Sequence, residues 1–109
     1  MEVQVIEWAR VAELREEVGE ADFAEVVELF LDEVEGVLQR LEVKPEQATL
    51  ESDLHFVRGS AVTLGFQDLG EICGAGERMA REARFEHIDI PKLLHTYQAS
   101  KAEFISRLA

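Results

Sequence analysis

Residues Leu50 to Leu69 read LESDLHFVRGSAVTLGFQDL, and this stretch decides the fold. Leu50, Leu54, Val57, Ala61 and Leu64 follow one another at spacings of four, three, four and three, the seam of a helix packed against other helices. Gly65 ends the run, and glycine is the residue that best suits a helix C-terminus. His55 falls just off the seam, on the flank of the helix rather than in its core. Arg58 and Gly59 stand one turn further along that flank, because residues three and four apart share a helical face.

Outward from this helix, the same periodicity predicts more of its kind. Upstream, Lys44-Pro45 interrupts the pattern, since a residue before proline is biased away from helix. Before that break, Phe23, Val26, Val27, Phe30, Leu31, Val34, Leu38 and Leu41 form one apolar stripe, with Asp22 as the expected cap. Glu25, Glu28, Asp32 and Glu35 lie opposite, as a solvated face. Trp8, Val11, Leu14 and Val18 predict a short first helix stopped at Gly19. Downstream, a fourth helix starts at Gln67 or Asp68 with Leu69, Ile72, Cys73, Gly76, Ala80 and Ala83 inward. Gly74, Ala75 and Gly76 include residues that weaken a helix, and close approach to the His55 helix is the expected compensation. His87 to Pro91 reads as a connection, and Leu93, Leu94, Tyr97, Phe104, Ile105 and Leu108 form the inner face of a last helix. Together these elements predict an all-α antiparallel four-helix bundle with a short additional N-terminal helix, one domain over residues 1–109.

Composition bounds the function. A chain of 109 residues has room for a single core and buries roughly two thirds of its unfolded surface. The net charge of −12 argues against nucleic acid and against anionic membranes, both of which attract basic surfaces. The acids crowd the first 42 residues, whereas Arg78, Arg81 and Arg84 stand together later. Cys73 is the single cysteine, so no internal disulfide forms, and its apolar setting predicts a small buried hydrophobe. No apolar run approaches the roughly 18 residues of a membrane span. The first residues, MEVQVIEW, lack the basic start and apolar run of a signal peptide. A cytoplasmic monomer is the resulting expectation.

The His55 flank has its own chemistry. A neutral imidazole is a nucleophile near neutral pH, and a guanidinium one turn away can pair with phosphoryl oxygens by charge-assisted hydrogen bonds. Gly59 would leave room, since a side chain there is expected to crowd the ring and an incoming partner. A carboxylate on the other ring nitrogen would orient the imidazole, and Glu77 on the adjacent helix is the candidate. The blander alternative treats His55 as a half-buried flank residue and Gly59 as a packing contact. The combination His-x-x-Arg-Gly-Ser on a bundle helix favours the reactive reading. His87 and His95 share no ligand spacing with His55, and no metal site is expected. The three arginines either form a basic edge beside His55 or pair with Glu77 and Glu82.

At these residues the chain resembles the histidine-containing phosphotransfer (HPt) domain family of multistep phosphorelays. That family's segment reads approximately His-x-Leu-Lys-Gly-Ser/Ala-Ala/Ser-x-x-Leu-Gly, against His55-Phe56-Val57-Arg58-Gly59-Ser60-Ala61-Val62-Thr63-Leu64-Gly65 here. IEWARVAEL and VGEADFAEVVELFLDEV look like its first two helices, and LGEICGAGERMA like its fourth. The resemblance implies that His55 accepts a phosphoryl group from an aspartyl phosphate on a receiver domain and passes it to another receiver aspartate. It implies Arg58 as the phosphate-stabilising cation, Gly59 as the clearance residue, and Glu77 and Arg81 as polar or basic neighbours of the site. Phe56, with Val62, would touch the partner. The implied partners are response-regulator receiver domains and a hybrid sensor histidine kinase. No cofactor is implied, the Mg2+ for transfer belonging to the receiver. Arg58 stands where lysine is usual and Val57 where leucine is common, and neither change removes the nucleophile.

Nothing in the sequence supplies an ATP site, since neither a GxxxxGK[ST] loop nor the kinase signature set is present. The expectation is a phosphocarrier without its own ATP site rather than an enzyme. The competing reading is an acidic helical-bundle interaction module whose His55 is not phosphorylated.

Overall fold

The computed structural model describes residues 5–108, so residues 1–4 and 109 of the expected domain lie outside the description. Five helices follow in order: α1 over Trp8–Val18, α2 over Glu20–Val43, α3 over Gln47–Leu64, α4 over Gln67–Arg81 and α5 over Ile90–Leu108. A single 3₁₀ turn at Phe85–His87 joins α4 to α5, and no strand occurs among the described residues. The all-α bundle expected from periodicity is therefore present.

The expected seams meet in one core. Val34, Leu38 and Leu41 of α2, Leu54, Val57 and Leu64 of α3, and Leu69 and Cys73 of α4 are all buried. Each fully buried leucine contributes roughly 1.5–3 kcal/mol over leaving it in water. Phe104 stacks on Trp8 with ring centroids 5.9 Å apart and meets Phe66 edge-on at 5.2 Å, tying α1, α5 and the α3–α4 turn together.

Glycine builds the α3–α4 hairpin. Gly65 takes φ +82°, and Phe66 N–H donates to Ala61 C=O at 2.7 Å while Gly65 N–H donates to Val62 C=O at 3.3 Å, which closes the helix end. A side chain there would also come within 2.8 Å of the Glu7 carbonyl oxygen, on the segment leading into α1. Along α4, a methyl on Gly70 would come 3.7 Å from Val62 Cγ2, on Gly74 3.5 Å from Arg58 Cδ, and on Gly76 3.0 Å from Leu54 Cδ1. Numbers fall on α3 as they rise on α4, so the pair is antiparallel. The close approach expected of these small residues is what they provide.

Four local expectations need correction. Gly19, not Asp22, caps α2: its φ of +86° turns the chain at once, and Asp22 becomes a first-turn acid facing the helix dipole. Ala83 is not on an inner helical stripe, because α4 stops at Arg81 and Ala83 takes φ +58° in the exit turn. Arg84 N–H donates there to Met79 C=O at 2.8 Å, a helix end of the kind glycine usually occupies. Ile105 is 48% exposed, since α5 turns Phe104 inward instead. Glu35 is not part of a free solvated face, for α5 crosses it: Tyr97 Oη donates to Glu35 Oε2 at 2.6 Å, and Lys101 Nζ pairs with the same oxygen.

Candidate functional site

His55 sits midway along α3, and what stands beside it follows from the glycine contact just described. In the antiparallel register that sets Gly70 against Val62 and Gly74 against Arg58, Glu77 of α4 falls opposite His55 of α3. His55 Nδ1 lies 2.9 Å from Glu77 Oε2. A carboxylate only accepts, so Nδ1 carries the proton and donates it, which leaves the lone pair on Nε2. The His55 side chain is 64% exposed, against 7% for Glu77. A buried acceptor thus fixes one ring nitrogen while the ring stands out in solvent.

Two guanidinium groups compensate the buried carboxylate. Arg81 Nη2 donates to Glu77 Oε2 at 3.2 Å, and Arg58 Nε lies 3.0 Å from Glu77 Oε1. The Arg58 contact is an ion pair without hydrogen-bond alignment, so Oε1 has a charge beside it but no directed N–H. Arg58 Nη2 is also 3.3 Å from His55 Nδ1. With the Nδ1 proton committed to Glu77, that approach brings a cation to the ring rather than a hydrogen bond. Removing the arginines would leave the Glu77 carboxylate buried and uncompensated, whereas the arginines themselves reach solvent.

Glu77 and Arg81, expected near the ring, are therefore in its cluster together with Arg58. Phe56 is 39% exposed and Val62 61% exposed, both on the outer surface of α3. Gly59 is exposed, but a methyl on it would meet no atom within 4 Å, His55 included. The crowding of the ring expected there does not arise, and the open space faces away from the bundle. Cys73, one turn before Glu77, is fully buried. Burial, and then the Glu77 charge, push its thiol up to about 12, so it is inert.

The arginine trio divides. Arg81 joins the cluster, and Arg84 pairs with Glu82 at 3.5 Å beyond the end of α4. Arg78 has no ion pair among the described residues and lines, with Arg58 and Arg10, an open groove of about 460 Å³ between α3, α4 and the start of α1. Sequence reasoning missed Glu51, whose Oε2 accepts from Arg81 Nε at 3.0 Å. The signal was available, since Glu51 precedes His55 by one helical turn. It also missed Arg10, which α1 delivers to the groove. His87 and His95 are exposed and apart from the site. Among the described residues no group of three or more His, Cys, Asp or Glu side chains stands close enough to hold a metal ion. No described helix is long and apolar enough to cross a membrane.

Comparison with known proteins agrees with this geometry. The Hpt domain family model matches residues 25–103, which spans α3, α4 and most of α2 and α5. No curated protein and no solved structure gives a significant match. An exposed histidine on a bundle helix, and a family match over well over half the chain, lead to one conclusion: this chain belongs to the Hpt domain family, the histidine phosphotransfer modules that work with receiver domains in two-component phosphorelays.

Proposed function

We propose that His55 is the residue that carries the phosphoryl group, taking it from an aspartyl phosphate on one receiver domain and giving it to an aspartate on another. The observation that carries this reading is the asymmetry of the ring, with Nδ1 held by a buried carboxylate and the rest of the imidazole in solvent. In the forward step the Nε2 lone pair forms a bond to phosphorus as the bond from phosphorus to the aspartyl oxygen breaks. The aspartate leaves as a carboxylate with the electron pair. The Nδ1 proton stays in place, and Glu77 balances the positive charge the ring acquires. Arg58, ending beside the ring, meets the phosphoryl oxygens. The onward step is the same exchange with a second carboxylate as nucleophile.

Positioning and charge stabilisation supply most of what phosphoryl transfer needs. In this reading the chain brings the nucleophile and its cations, and the receiver brings the aspartate and the divalent metal. The chain is accordingly a carrier and not a kinase. Phe56, Val62 and the open surface over Gly59 face the receiver, and a hybrid histidine kinase supplies phosphate upstream. The uneven charge supports the same face, since Arg58, Arg78 and Arg81 gather there in a chain of net charge −12.

The test is to incubate the chain with a phosphorylated receiver and map the label. Acid-labile, alkali-stable phosphate on His55, lost in His55→Gln, is the expected result. A receiver that binds both versions equally while neither acquires phosphate would establish the acidic interaction module instead.

A further inference from the structure

Glu51 makes no hydrogen bond to the ring itself, yet it holds one of the two cations that could serve a phosphoryl group there. Arg81 is shared: its Nε donates to Glu51 Oε2 at 3.0 Å, and its Nη2 donates to Glu77 Oε2 at 3.2 Å. That Glu77 oxygen is the one bonded to His55 Nδ1. In the cluster Arg58 and Arg81 are matched by Glu51 and Glu77, so no cation is in surplus before transfer. A phosphoryl group brings nearly two further negative charges. Arg81 keeps N–H groups unused on Nη1 and Nη2, yet its two carboxylates fix where the guanidinium sits, and Glu51 is the more exposed of them, at 47% against 7%.

We propose that Glu51 is a positioning residue which, by holding Arg81, weakens the stabilisation of the phosphoryl group on His55 and so favours its departure. The proposal rests on His55 being the phosphorylated residue. Glu51 acts as a competitor for Arg81, its own charge being screened by solvent at half exposure. Both side chains of the Glu51–Arg81 pair are about half exposed, so solvent screens it and its influence is a tuning of a few fold.

Phosphoramidate is a probe that needs no cognate partner. The Nε2 lone pair forms the new bond to phosphorus as the phosphoramidate P–N bond breaks, and ammonia leaves with the electron pair. At a fixed phosphoramidate-to-ammonia ratio, ³¹P NMR of the full chain gives the plateau ratio of phosphorylated to free His55. Glu51→Gln is expected to raise that ratio about two- to fivefold, the range open to an exposed ion pair. In an Arg81→Ala background the same change is expected to move it by less than about 1.5-fold, because the two residues act as one unit. Glu51→Ala should follow Glu51→Gln, and thermal melts by circular dichroism identify any variant whose fold has changed. Equal ratios in wild type and Glu51→Gln overturn the proposal while leaving His55 as the carrier. So does an equal shift in both Arg81 backgrounds, which would make Glu51 a bare charge. Phosphate absent from His55 in every version overturns the carrier reading and this proposal together.

Discussion

Of the carboxylates that bridge helices in this bundle, Glu77 and Glu35 end differently. Glu77 ties α4 to α3 and Glu35 ties α2 to α5, each accepting from a ring-bearing side chain and pairing with cations. Around Glu35 the contacts close on the core: the Tyr97 hydroxyl donates to it, Lys101 pairs with it, and the ring of Tyr97 is buried. Around Glu77 the chain of contacts stops at an exposed imidazole. The same physical device is a staple where its ring-bearing partner is buried and an accessible site where that partner stands in solvent. Backbone spacing makes the difference. α3 and α4 touch through Gly76, so a short histidine–carboxylate contact spans them, whereas α2 and α5 are joined by tyrosine and lysine reaching across.

The largest effect should come from Glu77. Glu77→Ala leaves the ring without its acceptor and is expected to slow phosphorylation of His55 by about 10- to 100-fold, as loss of a partner that orients histidine commonly does. Glu77→Gln keeps an oxygen for the Nδ1 proton and should recover part of that rate. A fully active alanine variant in a stopped-time labelling assay would dissolve the contrast between the two carboxylates.

Gly76→Ala tests the spacing itself. Its methyl would press Leu54 Cδ1 at 3.0 Å, a strain of about 1 kcal/mol or more, while alanine regains about 1 kcal/mol of helix propensity. Melting temperature should therefore move little, while labelling of His55 falls several-fold as Glu77 is displaced. Unchanged labelling would show that the contact tolerates a wider helix separation.

At the other carboxylate, Tyr97→Phe should cost about 1 kcal/mol of stability, one hydrogen bond's worth, and leave His55 labelling intact. The hydrogen bond from Lys101, and then that from Tyr97, hold the Glu35 carboxyl below its ordinary value of 4.5, with burial opposing. A lowered folded value adds stability above pH 4.5 that is lost as pH falls through the folded value. Denaturant titrations below that pH should give a shallower acid loss in Glu35→Gln than in wild type. Equal slopes would show that other carboxylates dominate the acid limb.

Much of this molecule was written in its periodicity. The seam of α3 placed His55 on a flank, and the glycines of α4 announced a close approach that puts Glu77 beside it. What escaped was whatever depends on the path of a distant helix or on a residue in an unusual role. Glu35 looked solvated because nothing local says that α5 crosses it. Ala83 looked helical because a left-handed exit turn normally advertises itself with glycine. Glu51 was overlooked because its importance comes from Arg81, thirty residues later. Gly59 was given a steric duty toward the ring that the actual rotamers of α3 do not require.

The chain's single tryptophan, Trp8, lies flat on Phe104 with the Arg107 guanidinium 5.0 Å from its ring. An indole so placed is a built-in fluorophore whose emission depends on aromatic stacking and on a charge overhead. The mooring of α1 to α5 can be followed by intrinsic fluorescence alone, without a dye and without touching the face that carries His55.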